Sequence, residues 1–313
     1  MVDGTGGVVW FSPYDYLLGE YQEMKPSVPT RIPTLDAMIG GGLTPGLWVI
    51  AAAPGTGKSA FGIRALLFTA WGGVKSAFLS LEMTAAQCWH RVASAYSVTE
   101  SAKAYGVRPF MWSDVRSMSL ATQTRMSATN ASIADMGATD AFVAATIALL
   151  SEQRTTDGEH TVGSMIRITS DEHARSVEGC VDTIYQAKQD GCRLAIVDYL
   201  QIIRADGSKT DRERIAEASN RLRDAANDLD MPIVVVSSMG REAMKSGKTS
   251  MHDLKGSGDI EFDATGVITL KRIEDEGTET ERLLECCLQK NRNGLLGTLR
   301  LKYQPAYNTF EEV

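Results

Sequence analysis

Hydrophobic and polar positions repeat along this chain with two different periods, and the change of period marks its parts. Five short runs are built around apolar residues: 47–53, 75–81, 165–169, 193–198 and 232–238. Runs of this length, bounded by turn residues, predict buried strands of a central, mostly parallel sheet. Segments with helical spacing lie between them. One begins at Lys58, runs to about Trp71 and is closed by Gly72-Gly73; one covers about 174–190 with Gly191 as its stop; one follows Thr210, capped with Glu213, through Asn227. From Thr265 the pattern turns β-rich, with strands over 265–271, 282–289 and 298–303 and a turn at Glu276-Gly277-Thr278.

Two stretches are harder to place. Residues 1–29 read as a tail in which Tyr14, Leu17, Leu18 and Tyr21 form one apolar face of a short helix over 11–24, before Pro26 and Pro29 stop it. A lone helix of that length is marginal in water, so it is expected to dock, on its own domain or on a neighbouring subunit. Residues 84–162 read as a helical insertion in the domain spanning 30–313. Between Ser117 and Ser151 only Arg125, Asp135 and Asp140 are charged, too few for a solvated disordered segment, so two or three helices over one face of the sheet are expected, then a mobile turn near 155–160.

Composition narrows the class. A chain of 313 residues with 43% apolar content can bury a large α/β core. No apolar run reaches the roughly 18–20 residues of a membrane span and the N-terminus has no basic leader, so a cytoplasmic protein without membrane contact is expected. The five cysteines (Cys88, Cys180, Cys192, Cys286, Cys287) and four histidines offer no zinc-ligand spacing and read as reduced core residues and scattered imidazoles. A net charge of -7 excludes a generally basic surface, so any nucleic-acid contact must come from local loops.

The candidate chemistry centres on the first buried strand, which runs into Ala53-Pro54-Gly55-Thr56-Gly57-Lys58-Ser59-Ala60. Wrapping backbone N–H groups round phosphate oxygens requires unusual dihedrals, which Gly55 and Gly57 permit. Lys58 adds a charge for the β- and γ-phosphates of ATP, and Ser59 offers a hydroxyl to Mg²⁺ at a helix N-terminus. The usual pattern wants glycine where Ala52 stands. The fourth apolar run ends in Asp198, the place for a carboxylate that shares Mg²⁺ with Ser59. Tyr199 follows rather than an acid, and Glu82, at the end of the second strand, fits the vacancy for a water-activating group; its other reading is a charge at the N-terminus of the helix capped by Thr84 and Gln87. Arg241, Lys245, Lys248 and Lys255 crowd a loop over 239–258, which suits single-strand phosphates or is a solvated surface. Lys290 and Arg292 stand on alternate positions of a hairpin and project together, which by itself suits charge that blunts a sheet edge.

Two levels of family resemblance follow. The lead Pro33-Thr34-Leu35-Asp36, then Gly40-Gly41-Gly42-Leu43-Thr44-Pro45-Gly46 into the phosphate strand, resembles the entry of RecA-type ATPase cores. Asp198-Tyr199-Leu200-Gln201 with Ser80-Leu81-Glu82-Met83, and Ala52 in the loop, resembles more narrowly the DnaB-type replicative helicases over roughly 30–313, with no counterpart here for that family's amino-terminal domain. The resemblance implies a RecA-like α/β fold with a C-terminal β-hairpin region, and an ATP-hydrolysing, Mg²⁺-dependent homo-hexamer that moves on single-stranded DNA and unwinds duplex. A replication initiator, loader or primase would be its partner. It assigns water activation to Glu82, a DNA grip to Lys255 and Gly258, and a finger into the next subunit's nucleotide to Lys290 and Arg292. Ser238 replaces a phosphate-sensing glutamine, so it would reach the γ-phosphate only through water. A RecA/KaiC-like ATPase, or an ATP-locked loader or scaffold that does not unwind, remains the alternative.

Overall fold

Strand β1 (Gly46–Ala52) is buried along its whole length, and its side chains divide by parity. Trp48, Ile50 and Ala52 join one apolar cluster while Leu47, Val49 and Ala51 join another, because successive strand residues face opposite sides of a sheet. A strand covered on both faces needs helices above and below it, and that layering organises the molecule. The computed structural model describes residues 27–104, 106–113, 146, 148, 150–204, 210–239, 257–278, 280–292 and 294–313.

The remaining strands are β2 (Ser76–Ser80), β3 (Ile166–Thr169), β4 (Leu194–Asp198), β5 (Pro232–Ser238), β6 (Gly266–Gly277), β7 (Arg282–Asn291), β8 (Gly297–Gln304) and β9 (Thr309–Glu312). With β1 they form one sheet in the order β3-β2-β4-β5-β1-β6-β7-β8-β9. Pairing is parallel from β3 to β6 and antiparallel from β6 to β9. The described helices are α1 (Pro33–Met38), α2 (Lys58–Trp71), α3 (Ala85–Ser97), α4 (Glu100–Ala104), α5 (Val177–Gln189), α6 (Asp211–Asp228) and α7 (Ser257–Asp263). Helices α2 and α3 cover the Trp48 face, whereas α5 and α6 cover the Leu47 face. β6 lies so close to β1 that a Cβ on Gly266 would stand 2.2 Å from the Trp48 ring, so only glycine fits there.

Thr84 with Gln87 and Thr210 with Glu213 both form complete capping boxes, at the starts of α3 and α6. All five cysteines are free thiols, four of them buried.

Several expectations need correction. The 155–160 turn, expected to be mobile, is pinned: the Thr156 N–H donates to the Trp71 carbonyl at 2.9 Å, and Asp157 Oδ1 accepts from the Glu159 N–H at 3.0 Å and from the Thr155 hydroxyl. β6 runs through the turn placed at Glu276-Gly277, β7 extends past Lys290, and β9 was not foreseen. Gly258 lies in α7 rather than in a loop. The 11–24 helix and most of the 114–149 stretch lie outside the described residues.

Candidate active site

The phosphate loop hangs between the C-terminal end of β1 and the N-terminus of α2. Gly55 (φ 76°) and Gly57 (φ 109°) both take left-handed backbone, and a Cβ on Gly57 would stand 2.8 Å from the Tyr303 ring. Pro54, Gly55, Gly57, Lys58, Ser59 and Ala60 line a cleft of about 410 Å³. Ala53 and Thr56 close the loop behind it: the Thr56 N–H donates to the Ala53 carbonyl at 3.3 Å, and Lys58 Nζ donates to the same oxygen at 3.1 Å. Burial lowers the Lys58 pKa, with Asp198 and Glu82 acting against that shift.

Opposite the loop, parallel pairing of β2 with β4 sets Ser80 beside Asp198, so Glu82 and Asp198 open into the same cleft. Asp198 is fully buried, and neither of its oxygens has a hydrogen-bond partner. Burial pushes its pKa up to about 6; Glu82 adds to the rise, while the nearby Ser59 hydroxyl, Lys58 and Arg91 oppose it. An orphaned buried carboxylate beside a serine hydroxyl suits a divalent cation. Among the described residues no group of three or more His, Cys, Asp and Glu could hold a metal unaided, so the ion that fits is one that arrives with phosphate oxygens and water. Ser238, at the end of β5, also lines the cleft.

Four participants escaped sequence reasoning. Gln201 ties the ends of β4 and β5 together, donating to Ser237 Oγ at 2.8 Å and accepting from the Ser238 N–H at 3.1 Å. Arg91 lines the cleft from α3. Tyr303 and Arg282 face each other across β8 and β7; the Tyr303 ring abuts Gly57, and Arg282 Nη1 donates to the Gly55 carbonyl at 2.8 Å. For Gln201 alone a signal existed, in the Asp-Tyr-Leu-Gln run; the others depend on contacts between distant segments.

Lys290 and Arg292 project together as expected, but away from this cleft. Lys290 Nζ donates to the Glu261 carbonyl and Arg292 Nη2 to that of Phe262 at 2.6 Å, at the end of α7. The Arg292 N–H donates to Thr265, whose own N–H donates to Leu47 at the start of β1. The pair therefore sits at the opposite end of the sheet from the phosphate loop, separated from it by β1, which from Trp48 to Ala52 spans about 13 Å. Arg241, Lys245, Lys248 and Lys255 lie outside the described residues. No helix among the described residues is long and apolar enough to cross a membrane.

Comparison with known proteins bears on the family and the fold. The family model for the DnaB-like helicase C-terminal domain matches residues 27–155 and 151–312. The replicative DNA helicase DnaB of Treponema pallidum is 40% identical over 123 residues, covering 39% of this chain and 27% of that protein. The matched stretch is less than a third of the length of the curated relatives. The ATPase domain of G40P superposes with a TM-score of 0.73 at 20% identity, covering 97% of this chain and all of that one (100%). A DnaB-like replicative helicase solved to show its interactions with primase gives 0.71 at 20% identity, over 95% of this chain and 66% of that one. Both likenesses establish the fold, a RecA-like ATPase core. With a mostly parallel sheet, a phosphate loop facing two carboxylates, and a family match across nearly all of its described length, the chain belongs to the DnaB-like helicase C-terminal domain family.

Proposed function

We propose that this chain is the ATP-hydrolysing motor of a ring helicase that travels on single-stranded DNA and separates duplex during replication. The observation that carries the reading is the cleft, where Lys58, Ser59, Glu82 and the unpartnered Asp198 converge on a space lined by the phosphate loop. The backbone from Ala53 to Ala60 and Lys58 would hold the triphosphate. Ser59 and Asp198 would hold Mg²⁺, which neutralises charge on the β- and γ-phosphate oxygens. Glu82, exposed at the mouth, would orient and deprotonate the attacking water. Tyr303 forms the wall along which the nucleoside end would lie, Arg282 beside it on β7 holds the Gly55 carbonyl, and Ser238 would meet the γ-phosphate through water.

Because Lys290 and Arg292 stand at the far end of the sheet from their own cleft, they would complete the cleft of an adjoining copy, which makes a homo-hexameric ring the natural assembly. Arg241, Lys245, Lys248, Lys255 and Gly258 would track the strand's phosphates, and a primase, loader or initiator would be the protein partner.

Phosphate release with and without single-stranded DNA, read beside strand displacement, tests this. DNA-stimulated multiple turnover with unwinding is expected. Glu82→Gln should cut turnover by about 10²–10³-fold while ATP still binds. Stimulated turnover without unwinding would favour a RecA/KaiC-like ATPase, and a single round of release would favour an ATP-locked scaffold.

A further inference from the structure

Arg91 enters the cleft from the middle of α3, and contacts from two distant segments fix its guanidinium. Nη1 donates to Asn308 Oδ1 at 2.8 Å, and Cζ lies 4.4 Å over the centre of the Trp112 ring. A guanidinium only donates, so the amide oxygen must be the atom facing it. Of its five N–H donors this is the one engaged by protein among the described residues, and the rest remain for a ligand.

The two holders are themselves built into one unit. The Trp112 N–H donates to the Ala306 carbonyl at 3.2 Å, two residues before Asn308 in the turn between β8 and β9. Ser94, one turn beyond Arg91 on α3, donates through its hydroxyl to the Phe110 carbonyl at 2.8 Å and to Ala306 at 3.4 Å. Ser97, a turn further on, accepts from the Phe110 N–H at 3.2 Å. One face of α3 thus ties down the segment carrying Trp112 and the turn carrying Asn308, and both then close on Arg91.

Asn308 is an unusual choice for this place. It is fully buried with φ 51°, a left-handed conformation that glycine would meet more easily, and its Nδ2 has no partner. A buried amide with its NH₂ unsatisfied lowers stability, so backbone needs alone do not account for it. What the side chain does supply is the acceptor for Arg91.

We propose that Asn308 and Trp112 are positioning residues of the nucleotide cleft, holding Arg91 so that its free N–H donors meet the bound triphosphate. The proposal rests on reading the cleft as an ATP site. The ring and the amide restrict the guanidinium from two sides, which removes the rotamer freedom that a long cationic side chain would otherwise lose on each binding event. The Trp112 groove, about 340 Å³ and lined also by Met83, His90 and Arg91, adjoins the cleft beside Glu82, so Arg91 is held at its hydrolytic side.

The test is a double-mutant cycle on the full chain with Mg·ATP and single-stranded DNA, reading phosphate release and the affinity for a fluorescent ATP analogue. Asn308→Gly keeps the left-handed backbone and deletes only the acceptor. It is expected to lower kcat about tenfold with a smaller change in affinity, and to change nothing further in an Arg91→Ala background. Parent-level turnover in Asn308→Gly, or the same tenfold loss persisting without Arg91, overturns the proposal. If Asn308→Gly does not fold, Trp112→Leu runs the same cycle with the same criterion. Where the parent binds ATP without turnover, the cycle is decided on affinity, a loss absent in the Arg91→Ala background being the supporting result. A parent that binds no nucleotide overturns the reading of the cleft as well, whereas a hydrolysing parent beside an unaffected Asn308→Gly overturns the positioning role alone.

Discussion

Asp198 is a side chain through which the cleft costs the fold stability, since burial of its carboxylate outweighs the help of the nearby Ser59 hydroxyl, Lys58 and Arg91 in the free chain. Its folded pKa, raised from 3.8 to about 6, means that the folded state holds a proton that the unfolded state has released. Stability of the nucleotide-free chain should therefore be fullest below about pH 4, decline as the pH climbs towards 6, and level off above that. Asp198→Asn should flatten this dependence and stabilise the free chain at pH 7 by on the order of 2 kcal/mol, while removing Mg²⁺-dependent nucleotide affinity. Urea midpoints at pH 4, 5 and 7 check the first part, and a destabilised Asn variant at pH 7 would show that the carboxylate has a partner after all. Gly57 gives the complementary case. A methyl group there meets both a φ of 109° and the Tyr303 ring, so Gly57→Ala should weaken ATP affinity at least about tenfold, readable by titration calorimetry.

Among elements, α2 is the one that joins the cleft to both ends of the described chain. Its first turn carries Lys58 and Ser59; six residues after Lys58 comes Arg64, 7% exposed, whose guanidinium donates to the carbonyls of Thr30 (3.1 Å), Arg31 (3.0 Å) and Phe310 (3.3 Å) and lies 4.5 Å from the Phe68 ring centre. Phe61 meets Phe310 edge to face, and Tyr303 stacks on it. Arg64→Met would leave three carbonyls unsatisfied, so a loss of about 3–5 kcal/mol in unfolding free energy is expected, partly restored by Lys. The denaturant midpoint measures it. None of this was visible from periodicity, in which Arg64 reads as one polar position on an otherwise apolar helix. The capping boxes of α3 and α6 were legible because a box is written within four consecutive residues, whereas β9 was missed because its four residues form a strand only by pairing with β8.

At the scale of the whole molecule, the distance between the Lys290–Arg292 pair and the phosphate loop separates two accounts of hydrolysis. If the finger acts between copies, Arg292→Ala should lower turnover at least about hundredfold with nucleotide binding nearly kept. Mixing that variant with Glu82→Gln should then restore part of the activity, since some junctions pair an intact cleft from one variant with an intact finger from the other. Steady-state phosphate release over a range of mixing ratios checks this. Activity that merely follows the sum of the separate variants would place the finger's role inside a single chain.

Consecutive residues were enough to determine the phosphate loop, the apolar strands with Asp198 and Glu82 at their ends, the caps and stops of the main helices, and through these the family and its fold. Such features depend on backbone chemistry and spacing that a short window contains in full. Only the tertiary structure decided the sheet order, that both Asp198 oxygens would be left without a hydrogen-bond partner, that Gln201 bridges two strand ends, and that Arg91, Arg282, Tyr303 and Asn308 gather round the phosphate-loop cleft while Lys290 and Arg292 stand away from it. Those facts are set by which strand lies beside which: Arg91 and Asn308 are 217 positions apart, and no periodicity in the chain brings them to 2.8 Å.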